Sequence, residues 1–221
     1  MRTVGSNGDE TLRLIRRSAA DLISEHGFEA MNLRQLAAHV GLTAGSLYNY
    51  IGSKQDLLYG LVRAVMDDLL LAADEQVLCQ QQTVRRFQAF VQLHLQFHID
   101  RKSDVLIATT ELRSLEPHNL RDIVLLRNRY EAILSRLIKQ GCREGVFVVT
   151  DPKLATLALI PMLTGVAHWY RPGGRLSRKD LLERYVDLSF ALVGSVPRKR
   201  VSLLPIELVA RPLEALRAAT I

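Results

Sequence analysis

Only two cysteines occur in the 221 residues, Cys79 and Cys142, far apart and with no CxxC pair. This excludes a disulfide framework and a cysteine-built zinc site. Aromatic residues make up 6%, and β-branched residues do not gather into alternating runs, so sandwiches and barrels are excluded as well. No segment offers the roughly 20 clean apolar residues that a bilayer span needs. The most apolar window, Leu154 to Tyr170, is interrupted by Thr156, Pro161, Thr164, Gly165 and His168 and reads as a buried helix. The first residues, MRTVGSNGDE, lack the apolar stretch of a secretory signal, and a cytoplasmic protein is expected. There is no GxGxxG, P-loop, GxSxG or HExxH motif, so neither an enzyme nor a bound cofactor is expected.

What remains is ordinary globular material, 48% hydrophobic and 24% charged, in which Leu, Ala, Arg, Glu and Gln dominate. That composition predicts an all-α fold. The formal charge of +6 carries little by itself, because residues 1–60 hold six basic and six acidic side chains and the excess is spread through the rest of the chain.

Apolar residues at steps of three and four, Leu12, Ile15, Ala19, Leu22 and Ile23, predict an amphipathic helix that Gly27 ends. Leu33, Leu36, Ala37 and Val40 predict a second, two turns long, between an Asn32 cap and Gly41. Thr43 caps a third over Ala44–Ile51, and a long fourth helix runs from Ser53 toward Val77 after the break at Gly52. Further helices are expected over 83–101, 103–115, 118–144, 151–170 and 177–193, about nine in all. Domain boundaries are expected at 1–55 and 56–194. A tail over 195–221 carries Pro197, Pro205 and Pro212 around a basic run, Arg198-Lys199-Arg200, read as solvated.

The strongest local pattern is Leu33–Ile51, LRQLAAHVGLTAGSLYNYI. Two helices that cross steeply need a small residue at the crossing, a Gly in the turn and apolar residues that lock the second helix. Ala37, Gly41 and the set Leu36, Val40, Leu42 and Leu47 supply these in order. With Leu47 and Ile51 turned inward, the outer face of the third helix displays Thr43, Ala44, Gly45, Ser46, Tyr48, Asn49 and Tyr50, short or hydroxylated side chains suited to a DNA groove. Gly45 costs about 1 kcal/mol in a helix relative to Ala, and close approach of the backbone to a duplex is a reason to keep it. Lys54, at the start of the fourth helix, is suited to a backbone phosphate.

Residues 12–58 resemble the DNA-binding domain of the TetR family of bacterial regulators. The resemblance lies in Gly27-Phe28-Glu29-Ala30, Leu36-Ala37, Gly41-Leu42-Thr43, Gly45, Leu47-Tyr48, Lys54 and Leu57-Leu58. Met31 stands where that family usually has Thr, leaving Asn32 to cap the helix, and Ile51 where it usually has Phe. The resemblance implies that Arg34, Thr43, Ala44 and Ser46 face bases, and that Tyr48, Tyr50 and Lys54 hold the DNA backbone. It also implies an effector-binding and dimerisation body over about 80–194. Helices 151–171 and 177–193 would pair with a second copy through Leu157, Ile160, Leu163, Thr164, Leu181, Leu182, Tyr185 and Leu188. A dimer reads a palindromic operator through two heads about 34 Å apart.

A ligand cavity is expected among the middle helices, with Phe90, Phe97, Leu106, Thr109, Glu111, Arg113, Tyr130, Leu134, Met162, Val166 and Trp169 as candidate lining residues, each equally readable as core. The run Trp169-Tyr170-Arg171-Pro172-Gly173-Gly174, with Glu111-Leu112-Arg113 upstream, is similar to the TetR subset that senses acyl-CoA thioesters. Arg113, Arg127, Arg129, Arg171 and Arg175 are available to CoA phosphates. The function so implied is a repressor released from DNA by a hydrophobic effector, through a tilt of the fourth helix. A rival stays open: a helical small-molecule-binding or metal-dependent protein whose helix-turn-helix is scaffold. His94 and His98 lie one turn apart for a metal but have no third ligand nearby, so solvated or pocket-lining histidines are preferred and no metal is expected.

Overall fold

A computed structural model of the chain describes residues 6–195 and 203–206. The described helices are α1 (Ser6–His26), α2 (Leu33–His39), α3 (Ala44–Leu47), α4 (Lys54–Gln76), α5 (Thr83–Asp100), α6 (Lys102–Thr110), α7 (Pro117–Arg143), α8 (Pro152–Thr164), α9 (Val166–Trp169) and α10 (Arg178–Leu192). A 3₁₀ turn, Glu111–Ser114, joins α6 to α7. Among the described residues there is no strand, and no helix is long and apolar enough to cross a membrane. The fold is all-α, as composition and periodicity predict. All nine expected helical segments are present, with shifted ends. The tail residues 196–202, which include the basic run, and 207–221 lie outside the described residues.

Two differences from the expected elements have local causes. The α-helix over Ala44–Ile51 stops at Leu47, and the chain tightens through Asn49 N–H to Ser46 O at 3.2 Å and Tyr50 N–H to Leu47 O at 2.9 Å, bonds of 3₁₀ spacing. The helix expected over 151–170 parts at Gly165 into α8 and α9. Pro161 inside α8 has no N–H to donate, and Gly is a weak helix former four residues on.

By packing, the described residues form two compact units: 6–65 with 103–123, and 66–102 with 124–195 and 203–206. The first has its core in Ile15, Ala19, Leu22, Ile23, Leu36, Ala37, Leu47 and Leu58, all nearly inaccessible. Gln55 clips the 3₁₀ turn into it, donating to the Ser114 carbonyl at 2.7 Å and accepting from Glu116 N–H at 3.2 Å.

The second unit is organised around α5, which packs against α8, α9 and α10. Twelve of its 18 residues are buried. That explains its sequence, apolar on every side rather than along one stripe. Phe87 stands 5.1 Å from the rings of both Phe147 and Phe190. Gly141, inside α7, makes room for this cluster, since a Cβ there would fall 2.0 Å from the Phe147 ring.

The helical glycines therefore divide. At Gly60, within α4, a Cβ meets nothing within 4 Å, so Gly60→Ala should raise stability by up to about 1 kcal/mol through helix propensity. Gly141→Ala gains the same propensity but must displace a ring held between two others. It should lower stability by about 1–3 kcal/mol in denaturant titrations. A stabilising Gly141→Ala would refute the packing role.

Candidate nucleic-acid interface and effector core

The helix-turn-helix is assembled from short-range bonds. Asn32 Oδ1 accepts the Arg34 N–H at 2.7 Å and caps α2. At its other end Gly41 takes φ 69°, a left-handed conformation that favours glycine, and Leu42 N–H reaches back to Ala37 O at 2.8 Å. The turn delivers Thr43 as the α3 cap, its Oγ1 accepting the Ser46 N–H at 3.1 Å and lying 2.9 Å from the Ser46 hydroxyl. Leu36, Ala37 and Leu47 are at most 1% exposed.

This packing turns the other side of α3 outward. Arg34, Thr43, Gly45, Tyr48 and Asn49 are exposed, and Ala44, Ser46 and Tyr50 half-buried. A Cβ at Gly45 would meet no protein atom within 4 Å, so nothing inside this unit requires the glycine there. Tyr48, 55% exposed, is the largest apolar surface on this face. Lys54 heads α4, but its Nζ donates to the Glu29 carbonyl at 3.0 Å and lies 4.4 Å from the centre of the Phe28 ring. It ties α4 to the segment between α1 and α2, leaving its remaining N–H groups for an anion.

In the second unit α5, α7 and α9 bring Phe90, Phe97, Tyr130, Leu134 and Val166 into one interior, all nearly inaccessible. Met162 is half-buried, and Trp169 is 48% exposed beside Tyr185. Leu106, Thr109, Glu111 and Arg113 belong to the first unit. There Thr109 spends its hydroxyl on the Val105 and Leu106 carbonyls, and Glu111 accepts from Ser114.

His94 and His98, expected to be solvated or pocket-lining, are 2% and 5% exposed. His94 lies 3.2 Å through Nδ1 from the Tyr130 hydroxyl and 3.0 Å through Nε2 from that of Thr164. The His98 ring stacks on it at 3.8 Å, and His98 Nδ1 donates to the His94 carbonyl at 2.7 Å. With both His94 nitrogens engaged the pair is not arranged to share a metal ion, and among the described residues no group of three or more His, Cys, Asp or Glu is placed to do so. Burial holds the His94 pKa well below its ordinary value, helped by His98. Burial likewise takes His98 down to about 4, opposed by its bond to the His94 carbonyl and helped by the Arg127 charge. It also pushes the Tyr130 phenol well up. The i, i+4 spacing of the two histidines was the visible signal, but their partners lie 36 and 70 residues from His94 in sequence.

Beyond this interior, Trp169, Tyr170, Arg171, Gly174, Arg175 and Leu176 line an open cleft of about 300 Å³. The helices expected to pair with a second copy need one correction. Leu163, Leu181 and Leu182 are at most 3% exposed and belong to the core of this chain. The apolar side left outward on α8 and α10 is Leu154, Leu157, Leu188 and Leu192. Ile160 and Tyr185 are half-buried.

A capped helix-turn-helix with its second helix uncovered, joined to an all-helical unit, is the architecture of a DNA-binding transcriptional regulator. Residues 15–60 match the model of bacterial regulatory proteins of the tetR family, and residues 80–193 that of the tetracyclin repressor-like C-terminal domain. The chain belongs to the TetR family, whose members are regulators and not enzymes. It is 25% identical over 200 residues to the transcriptional repressor KstR2 of Mycobacterium tuberculosis, covering 90% of this chain and 96% of that protein. A TetR-family regulator from Rhodococcus RHA1 superposes with TM-score 0.80 at 24% identity, over 87% of this chain and all of that one. AibR, in its crystal structure with isovaleryl coenzyme A and operator DNA, superposes with TM-score 0.72 at 24% identity, over 84% and 99% of the two chains.

The buried histidines make stability depend on pH. A folded-state pKa of about 4 for His98, below its unfolded value, means that the unfolded chain binds the proton first as pH falls. The His98 contribution is complete above about pH 6.5 and is lost between there and about pH 4, amounting to about 3 kcal/mol. Urea unfolding at pH 7 and pH 4.5 should show this loss, and His98→Phe should make it smaller, leaving the part that buried His94 contributes. Equal pH slopes in the two proteins would show that His98 titrates as it does in water.

Proposed function

We propose that the protein is a repressor that binds a palindromic operator as a homodimer and is released by an acyl-CoA thioester. The observation that carries the DNA half is the uncovered side of α3 and the turn after it, Thr43–Tyr50, held up by a buried Leu47. In this reading Arg34, Thr43, Ala44, Gly45, Ser46 and Asn49 meet base edges in the major groove, while Tyr48, Tyr50 and Lys54 meet the phosphate backbone. The mutual bond between the Thr43 and Ser46 hydroxyls leaves one hydroxyl hydrogen to donate outward. The bare Gly45 lets the duplex approach the backbone.

The effector half draws on chemistry at the second unit. A CoA ester combines an apolar acyl chain, an aromatic base and several phosphate charges. The aromatic interior around Phe90 and Tyr130 suits the chain, and the cleft with Trp169, Arg171 and Arg175 suits the base and phosphates. AibR lends the precedent that this fold takes up a CoA thioester together with DNA. Ligand binding weakens DNA binding by the difference in its affinity for the two states, typically 1–3 kcal/mol or about 5- to 150-fold.

Gel-shift titrations test both halves. Operator affinity should fall by orders of magnitude across a modest rise in salt. Tyr48→Phe should weaken all sequences alike, and it is a cleaner probe than Lys54→Ala, which also unties Glu29 and Phe28. Arg34→Ala should relax the choice of sequence, costing about 1–3 kcal/mol at one position of the site. Equal losses from both variants on all sequences would overturn the division of roles, and operator affinity unchanged at saturating acyl-CoA would remove the effector assignment.

The dimer half turns on the outward leucines. Leu157→Glu with Leu188→Glu should give a folded monomer by sedimentation and circular dichroism, with operator binding lost. A dimer that survives the double substitution would place the interface elsewhere.

A further inference from the structure

The interior of the second unit contains an unbalanced set of hydrogen-bonding groups. Neutral His94 carries one N–H, and Tyr130 and Thr164 one O–H each, yet only two hydrogen bonds join the three. In one tautomer the Thr164 hydroxyl hydrogen is left over, in the other that of Tyr130, so either way the trio has one hydrogen to give. His98 has the opposite surplus. Its Nδ1–H is spent on the His94 carbonyl, and its Nε2 keeps a lone pair with no partner among the described residues. The two rings stack at 3.8 Å, which puts the spare hydrogen and the spare lone pair on neighbouring residues.

The surroundings define what can complete it. Phe90 lies 4.9 Å from the Tyr130 ring and 6.1 Å from His94, and Phe97 lies 6.1 Å from His98. His98 is 5% exposed. Thr164 is half-buried, so the patch meets the surface at that residue. The ring nitrogens and the phenol stay uncharged because burial disfavours their ions. Arg127, whose charge is felt at His98, would repel an ammonium; a carboxylate oxygen, which it would attract, would still face the His98 lone pair with one of its own.

We infer that this patch is the polar floor of an effector site and that the buried end of the effector carries an alcohol. The hydroxyl oxygen accepts the hydrogen from Tyr130 or Thr164, and its own O–H donates to His98 Nε2. A carbonyl would satisfy only the first of these. Resting on the acyl-CoA reading above, this makes the effector a hydroxyacyl thioester, with an apolar chain or ring bearing the alcohol.

The test is calorimetric titration of the whole protein with decanoyl-CoA, 3-hydroxydecanoyl-CoA and 10-hydroxydecanoyl-CoA, and with the methyl esters of the same three acids. One hydroxylated member of each series should bind at least about tenfold more tightly than the plain one, the ratio expected of a buried hydrogen-bond pair. His98→Phe, checked for folding by circular dichroism, should still bind decanoyl-CoA but show no preference. If the methyl esters show the preference and the CoA series does not bind, the CoA reading fails and the alcohol site stands. CoA esters that bind with no preference for the hydroxyl overturn the alcohol site alone, and silence in both series overturns both. Histidine ¹⁵N spectra of the unmutated protein give an independent readout. The His98 Nε2 signal should leave its bare lone-pair position when the hydroxylated ligand binds, and an unmoved signal refutes the contact.

Discussion

The second unit depends on the enclosure of α5. A helix packed on every side has no face on which to put a polar side chain at no cost, and a buried group without a partner is penalised by about 1–3 kcal/mol. Yet α5 buries Gln88, Gln92, His94 and His98, and each recruits a partner. Gln88 donates to Gln92 at 2.9 Å. Gln92 grips the backbone of Leu204 in both directions, donating to its carbonyl at 3.3 Å and accepting its N–H at 3.0 Å. His94 takes Tyr130 and Thr164. The positions of α7, the end of α8 and residues 203–206 are in this sense answers to polar groups on one helix.

The first unit meets a different constraint. α2 has seven residues and α3 four, far below the length at which a helix persists in water. They exist because each is capped by a side chain and pinned by a fully buried leucine, Leu36 or Leu47. Such a helix spends its inward residues on packing and keeps the rest unspecialised. The outer side of α3 is therefore available for recognition, and even the helix-weakening Gly45 is tolerated there. The same economy explains the work given to Lys54, whose stem and ammonium brace Phe28 and Glu29 while its head stays at the surface.

Much of this was legible in the sequence, for identifiable reasons. The helix-turn-helix rests on neighbours: Asn32, Ala37, Gly41, Thr43 and Leu47 act within a few residues of themselves, so spacing alone reveals them. The all-α class follows from periodicity. The length of α3 was not legible, because the choice between α and 3₁₀ spacing after Leu47 turns on fractions of an ångström. Periodicity also failed to say which stripe of a two-sided apolar helix faces inward, so Leu163, Leu181 and Leu182 read as partner surface while Leu154 and Leu192 went unnoticed. The contacts of His94 and the grip of Gln92 on Leu204, 112 residues away, leave no local trace.

The chain runs through the two units in alternation. Among the described residues it passes between them at 65/66, 102/103 and 123/124. The first crossing lies inside α4 and the third inside α7. Neither helix has a proline near its crossing, the one in α7 standing at its first residue, Pro117, so in both the hydrogen-bond ladder runs through the crossing. Tyr130, one of the groups facing His94, sits on α7 seven residues beyond the third crossing, about two turns of helix.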